Sequence, residues 1–282
     1  VAGLSPQFVA IGHVTLDQFG EATRPGGAAL YAAVTAHRLG LSAALLTSHG
    51  DDFPLDVVPP QIEVVSVPAA QTTRFDHRLA GAERAMRVTD TARALGLQDV
   101  PDDWRGADIV MLSPVLEEVD PRVITAFAEA SVGATVQGYL RGLGADGRVS
   151  ARPWASPEFV LDRAQAIFFS LEDVNHDLTD AMEWLQRVPV GVVTDGRLGA
   201  HLYVNGDPYN VRPRPAREVD PTGAGDVFAA AFMVEYDRHG DPWEAGAAAS
   251  CAASLSVGGE GWTTVPDPGR LGTALADYHR SV

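Results

Sequence analysis

The chain has 282 residues and a formal net charge of -16, from 21 basic and 37 acidic residues, with 46% hydrophobic content. That composition excludes a disordered or collagen-like chain, and so acidic a surface argues against nucleic acid or an anionic bilayer as partner. All 21 basic residues are Arg, which removes a Walker A loop, a Schiff-base lysine and the lysine ion pair of protein kinases. Cys251 is the only cysteine, set in an Ala-rich run, so no intramolecular disulfide forms and the thiol reads as core. No signal-peptide pattern and no membrane-length apolar run is visible, so the expected compartment is the cytoplasm.

Phe8 to Gly12 reads as a buried strand. A loop with Asp17 follows, then Pro25-Gly26-Gly27, an apolar helix from Ala28 to Leu39 stopped by Gly40, and a strand from Leu41 to Thr47. From Ile62 to Thr91 the pattern changes to short alternating stretches with one polar face, predicting two or three strands of a small sheet, or lid. Asp108 to Leu112 resumes the buried-strand pattern, Pro121 to Ser131 predicts a helix, and Ala134 to Val136 a strand. Further helices are expected at 157–165 and 178–187, with strands at 166–169 and 190–194. Asn205-Gly206 between two apolar stretches predicts a type I′ hairpin. The last third is helical: 226–236, then a helix opened by Asp241-Pro242-Trp243-Glu244, then one opened by Asp267-Pro268. Alternating strands and helices predict one α/β domain over 1–282, a mostly parallel sheet covered by helices on both faces, with a small β lid inserted at about 62–91 and joined by part of the early loop.

The segment that carries chemistry is Glu218-Val219-Asp220-Pro221-Thr222-Gly223-Ala224-Gly225-Asp226, running directly into a helix. Two glycines one residue apart let backbone amides converge, and the helix start adds free N–H groups and a positive dipole end, so the segment reads as an anion hole. Asp226 at its lip would repel an anion. Its chemistry is that of a base facing a hydroxyl that attacks a phosphoryl group held by those amides. The plainer alternative makes Asp226 a helix cap and the glycines a turn.

The run resembles the second signature of the ribokinase-like (PfkB) carbohydrate kinases, Asp-Thr-x-Gly-Ala-Gly-Asp, departing from it at Pro221. Gly26-Gly27-Ala28-Ala29 with Arg38-Leu39-Gly40 is similar to the family's first motif, Thr47 to Asp52 to the loop after it, and Thr194 to Ala200 to its nucleotide loop. Gln137 to Arg141 is similar to a stretch found in part of the family. The resemblance implies ATP-dependent phosphorylation of an alcohol on a small polyhydroxylated substrate, a sugar or cyclitol. Asp226 would be the base, and the amides of Gly223, Ala224 and Gly225 the cradle of the γ-phosphate. Asp17, Gly26, Gly27 and Arg141 would face the acceptor, and Thr194, Gly196, Gly199 and Ser170 the nucleotide. The family's Asn-x-x-Glu segment for magnesium is replaced by Ser170-Leu171-Glu172-Asp173, so Asp173 would hold magnesium through water, with Glu172 as its substitute. Asp220 and Thr222 match positions that hold a monovalent cation such as potassium, with Gly258 to Gly261 as the second loop of that site. A second copy meeting the first through the lid is the expected homodimer.

Two further readings remain open. A nucleoside kinase would need an aromatic wall for the base, which Phe19, Tyr31 or Phe75 could supply. A kinase-fold protein that binds sugar or nucleotide without transfer would explain Ser170 and Asp173, against the intact Gly-Ala-Gly-Asp.

Overall fold

The computed structural model describes residues 5–77, 79–80, 83–84 and 86–281. Nine strands form one sheet, in the spatial order Asp207–Val211, Ala200–Val204, Val190–Thr194, Ala166–Ser170, Ser131–Thr135, Ile109–Leu112, Phe8–Ile11, Ala43–His49, Glu63–Pro68. All pairings are parallel except the two made by Ala200–Val204, with Val190–Thr194 and with Asp207–Val211. The central strands are buried on both faces, which explains why they read as unbroken apolar runs. Phe8 and Ala10 point into the core on one side, Val9 and Ile11 into the core on the other.

The first face is covered by helices α1 (Ala28–Arg38), α4 (Ala224–His239), α5 (Pro242–Ser256) and α6 (Pro268–Arg280). The second carries short elements, among them α2 (Glu158–Leu161) and α3 (Ala181–Arg187). The helix starts read from the sequence are present. Asp241 accepts from the N–H of Trp243 and Glu244, Asp267 from that of Arg270, each followed by Pro at the first helical position. Residues 121–131 do not form the expected helix. Pro121–Ala126 is a 3-10 segment, and the chain extends into a strand at Ser131.

A second sheet of four strands, in the order Ala22–Gly26, Thr15–Phe19, Thr73–Asp76, Arg87–Asp90, stands beside the large one. It has its own small cluster of Ala28, Phe75, Val88 and Val115. The expected boundary at Ile62 is therefore corrected. Glu63–Pro68 pairs in parallel with Ala43–His49 as the edge of the large sheet, and half of the small sheet comes from 15–26. No helix among the described residues is long and apolar enough to cross a membrane.

Candidate active site

The glycine-rich segment opens α4. Gly223 is the residue before the helix, in the left-handed region at φ 76°, and a Cβ there would strike the ring of Tyr31 on α1. Glycine is thus required twice over, by conformation and by contact. Tyr31 packs edge-on against Trp262 with ring centroids 5.6 Å apart. It supports the loop from beneath and is not an exposed aromatic wall. Burial first, then the charges of Asp220, Asp226 and Asp17, push its phenol well above the ordinary value.

The amide donors differ from expectation in one respect. Ala224 spends its N–H on the Pro221 carbonyl at 3.2 Å, closing the turn. Among the described residues no acceptor is paired with the N–H of Gly223, Gly225 or Asp226, so these three are free for an anion at the start of α4. Asp226 is in the first turn, and Gly223, not Asp226, occupies the cap position, which removes the cap reading. Desolvation pushes its carboxyl up to about 7. Arg141 opposes that rise, and Asp173 and Asp17 add to it.

A cleft of about 670 Å³ runs from this carboxylate along Gly225 and Gly223 to Ser170, Asp173 and Thr194. A second, of about 460 Å³, shares Thr194, Gly196, Arg197, Pro221, Ala224 and Gly225 with it, and continues past Gly199 into an apolar recess of Pro213, Ala216, Phe228, Ala253 and Val257. The candidate nucleotide residues Thr194, Gly196 and Gly199 therefore meet in one place.

Ser170 and Asp173 are locked together. Asp173 Oδ2 accepts from the backbone N–H and the hydroxyl of Ser170, both at 2.8 Å, and Oδ1 accepts from Gln137 Nε2 at 3.0 Å. The Ser170 hydroxyl is committed to this carboxylate. Asp173 still faces the cleft and keeps lone-pair capacity for a hydrated divalent ion, so the donor set fits magnesium held through water. Gln137 opens the stretch noted for its resemblance, but its bond to Asp173 appears only where the two segments meet in the fold.

Asp17 lies in the small sheet, buried, directly opposite Arg24 in strand register. Its Oδ2 sits so close to Gly26 that a Cβ there would collide with it. Gly27 is the residue before α1, so the first motif forms one corner with Asp17. Arg141 is half-buried, donates to the Val115 carbonyl at 3.3 Å and lies 5.9 Å above the Phe75 ring. Burial lowers its basicity, while Asp173, Asp226, Glu118 and Asp17 raise it. Beside Asp17, Phe19 stacks on His77 at 4.7 Å.

Around Asp220 the donors are N–H groups and the Thr222 hydroxyl. Its Oδ1 accepts from the N–H of Thr222 at 3.0 Å, and its Oδ2 from the N–H of Gly261 at 3.2 Å and from Arg24 Nη1 at 3.3 Å. Burial raises its carboxyl; the bonds from Thr222 and Gly261 and the Arg24 charge outweigh that and leave it below the ordinary value. Arg24 was not singled out by its sequence context.

Residues 162–268 match the family model described as pfkB family carbohydrate kinase. The chain is 25% identical over 255 residues to a cytidine kinase of Thermococcus kodakarensis, covering 84% of this chain and 90% of that one. It is 30% identical over 227 residues to an inositol 3-kinase of Oryza sativa, covering 73% of this chain and 56% of the relative, so it spans little more than half of that protein. Its fold matches a solved pyrophosphate-dependent myo-inositol-1 kinase converted into a myo-inositol-3 kinase, with a TM-score of 0.79 at 18% identity, covering 96% of this chain and 98% of the other.

Proposed function

Because the chain belongs to the PfkB family of carbohydrate kinases, we propose that it transfers the γ-phosphoryl group of ATP to a hydroxyl of a small sugar or polyol. The observation that carries this reading is Asp226. It is a carboxylate raised to about 7 by burial, next to the free amides of Gly223 and Gly225 at the end of a cleft. A base with that pKa is matched to deprotonating an alcohol near neutral pH.

In this reading the acceptor hydroxyl lies between Asp17 and Asp226. As its oxygen bonds to the γ-phosphorus, its proton passes to Asp226 and the bond to the bridging oxygen breaks, leaving the electron pair on ADP. The amides of Gly223, Gly225 and Asp226 hold the equatorial oxygens, and Arg141 offsets charge between Asp226, Asp173 and Asp17. Asp173, with Glu172 beside it, would hold magnesium through its water shell. When bound, magnesium neutralises the donor phosphates. The apolar recess at Phe228 and Val257 supports a nucleoside on the donor, which a pyrophosphate would leave unused. The small sheet excludes water when an acceptor is seated.

A second reading, a nucleoside as acceptor, is favoured by the Phe19–His77 stack next to Asp17 and by the cytidine kinase relative. A panel of myo-inositol, ribose, fructose, cytidine and adenosine, each with ATP and with pyrophosphate as donor, separates the two. The primary reading expects ADP and a phosphomonoester from a polyol. Turnover of nucleosides alone moves the assignment to the second reading, and binding without turnover by any of them would sink both.

A further inference from the structure

We propose that Arg24 takes the place of the monovalent cation expected at Asp220, so that the positive charge beside the anion-binding loop is carried on the small sheet and transfer does not depend on potassium. The inference rests on the kinase reading of that site.

A cation site needs oxygen atoms with lone pairs directed at a common point. Here both side-chain oxygens of Asp220 face N–H donors, from Thr222, Gly261 and Arg24, the last a guanidinium, and several carbonyls of the following loop already accept hydrogen bonds. In the following loop the Leu255 carbonyl accepts from Gly258, the Ser256 carbonyl from the Thr264 hydroxyl, and the Val257 carbonyl from Val219 and Asp220. The Glu260 carbonyl accepts from both the N–H and the hydroxyl of Thr263. N–H groups aimed at Asp220 would repel a metal ion and are satisfied by the carboxylate.

The guanidinium meets the remaining charge. Arg24 Nη1 reaches Asp220 at 3.3 Å, and Nη2 reaches Glu260 Oε1 at 3.2 Å. Its planar fork spans the two loops that a bound ion would otherwise join. Its Cζ lies 5.5 Å from the centre of the Phe19 ring, which steadies the side chain. The charges of Asp220, Asp226 and Asp17 all reach Tyr31 beneath the loop, and Arg24 opposes them there.

The placement also couples the two substrates. Arg24 and Asp17 are direct cross-strand partners, and paired residues of neighbouring antiparallel strands project to the same face. The strand pair that offers Asp17 to the acceptor therefore offers Arg24 to the anion loop. Arg24 is a positioning residue acting through Asp220 on the amides of Gly223 and Gly225.

The test compares the wild type, Arg24→Ala and Arg24→Lys in potassium and tetramethylammonium chloride at equal ionic strength, by kcat, KM and thermal midpoint. The wild type should show equal rates and equal midpoints in the two salts. Arg24→Ala should lose about 10- to 100-fold in kcat, the scale of one charged hydrogen bond, with little change in acceptor KM. Arg24→Lys, or guanidinium or potassium ions added to Arg24→Ala, should recover part of that loss and raise the Arg24→Ala midpoint. A wild type that potassium accelerates or stabilises overturns the proposal. So does an Arg24→Ala protein that behaves as wild type, or one that no cation, tethered or free, recovers. If no acceptor is phosphorylated by the wild type, the kinase reading has failed, and the midpoints alone still decide the role of Arg24.

Discussion

Asp226 combines a position beside free backbone amides with a carboxyl raised by burial, and both are measurable. Asp226→Asn keeps the size and the helix start and removes the base, so kcat should fall by about 100-fold or more. ATP binding should hold or tighten slightly as one negative charge leaves the phosphates. Titration of this residue also places the acidic limb of kcat/KM near 7. The stability consequence has a definite sign. Burial raises the folded pKa above the unfolded value of 3.8. Stability from the protonated group is therefore full below that value, and it is lost as pH rises toward about 7. Asp226→Asn should melt higher than wild type in mildly alkaline buffer, with the gap closing in acid. A midpoint difference independent of pH, or a near-native kcat, would contradict the assignment. At this scale much was legible: Asp226, Gly223 and Gly225 stand out because their spacing is itself the signal. Ala224 was misjudged as a donor because a turn bond to Pro221 is invisible in residue types. Arg24 was missed because its partners lie 196 and 236 residues away in sequence.

At the scale of the element, the loop before α4 separates two glycines by function. Gly225 has an ordinary φ, and a Cβ there would meet nothing within 4 Å, so its side is the space left for phosphate. Gly225→Val should fold with a native melting midpoint and lose about 10²–10³-fold in transfer, as when an oxyanion donor is blocked. Gly223→Ala meets the Tyr31 ring and a positive φ, so it should lose stability as well as activity. Equal melting of both variants would show that Tyr31 does not support the loop. The segment 170–174 makes a similar point for magnesium. Asp173 is held by Ser170 and Gln137, so the ion's ligands should be mostly water and nucleotide oxygens. Calorimetry should find no tight magnesium binding until nucleotide is present; micromolar binding to the bare protein would identify a dedicated protein site. Elsewhere the limits of pattern reading have physical causes. An edge strand such as Glu63–Pro68 is half solvated, so its alternation looks like that of a free-standing flap. The apolar spacing of 121–131 suits a helix, but the chain winds as 3-10 over Pro121–Ala126 and then turns Phe127 into the buried cluster on the second face.

For the whole molecule, the reacting groups are split between two bodies of structure. The large sheet with α4 and α5 carries the donor cleft, Asp226 and Asp173; the small sheet carries Asp17 and Arg24. The large sheet has an apolar core on each face, whereas the small one has its own cluster of four buried residues and reaches the large core through Leu16. Local stability follows buried contact, so the small sheet should open more readily than the rest. That asymmetry suits a cover that closes once an acceptor hydroxyl bonds Asp17. Hydrogen exchange of the whole protein reads this directly. Acceptor should slow exchange in Thr15–Phe19, Ala22–Gly26 and Thr73–Asp76, and ATP alone should slow it at 194–199 and 221–226. With both bound, protection of the small sheet should exceed that with acceptor alone, because Arg24 joins it to the loop that holds the phosphate. Protection of the small sheet by ATP alone, with none from acceptor, would mean that closure answers to the donor and that Asp17 is not where the acceptor is held.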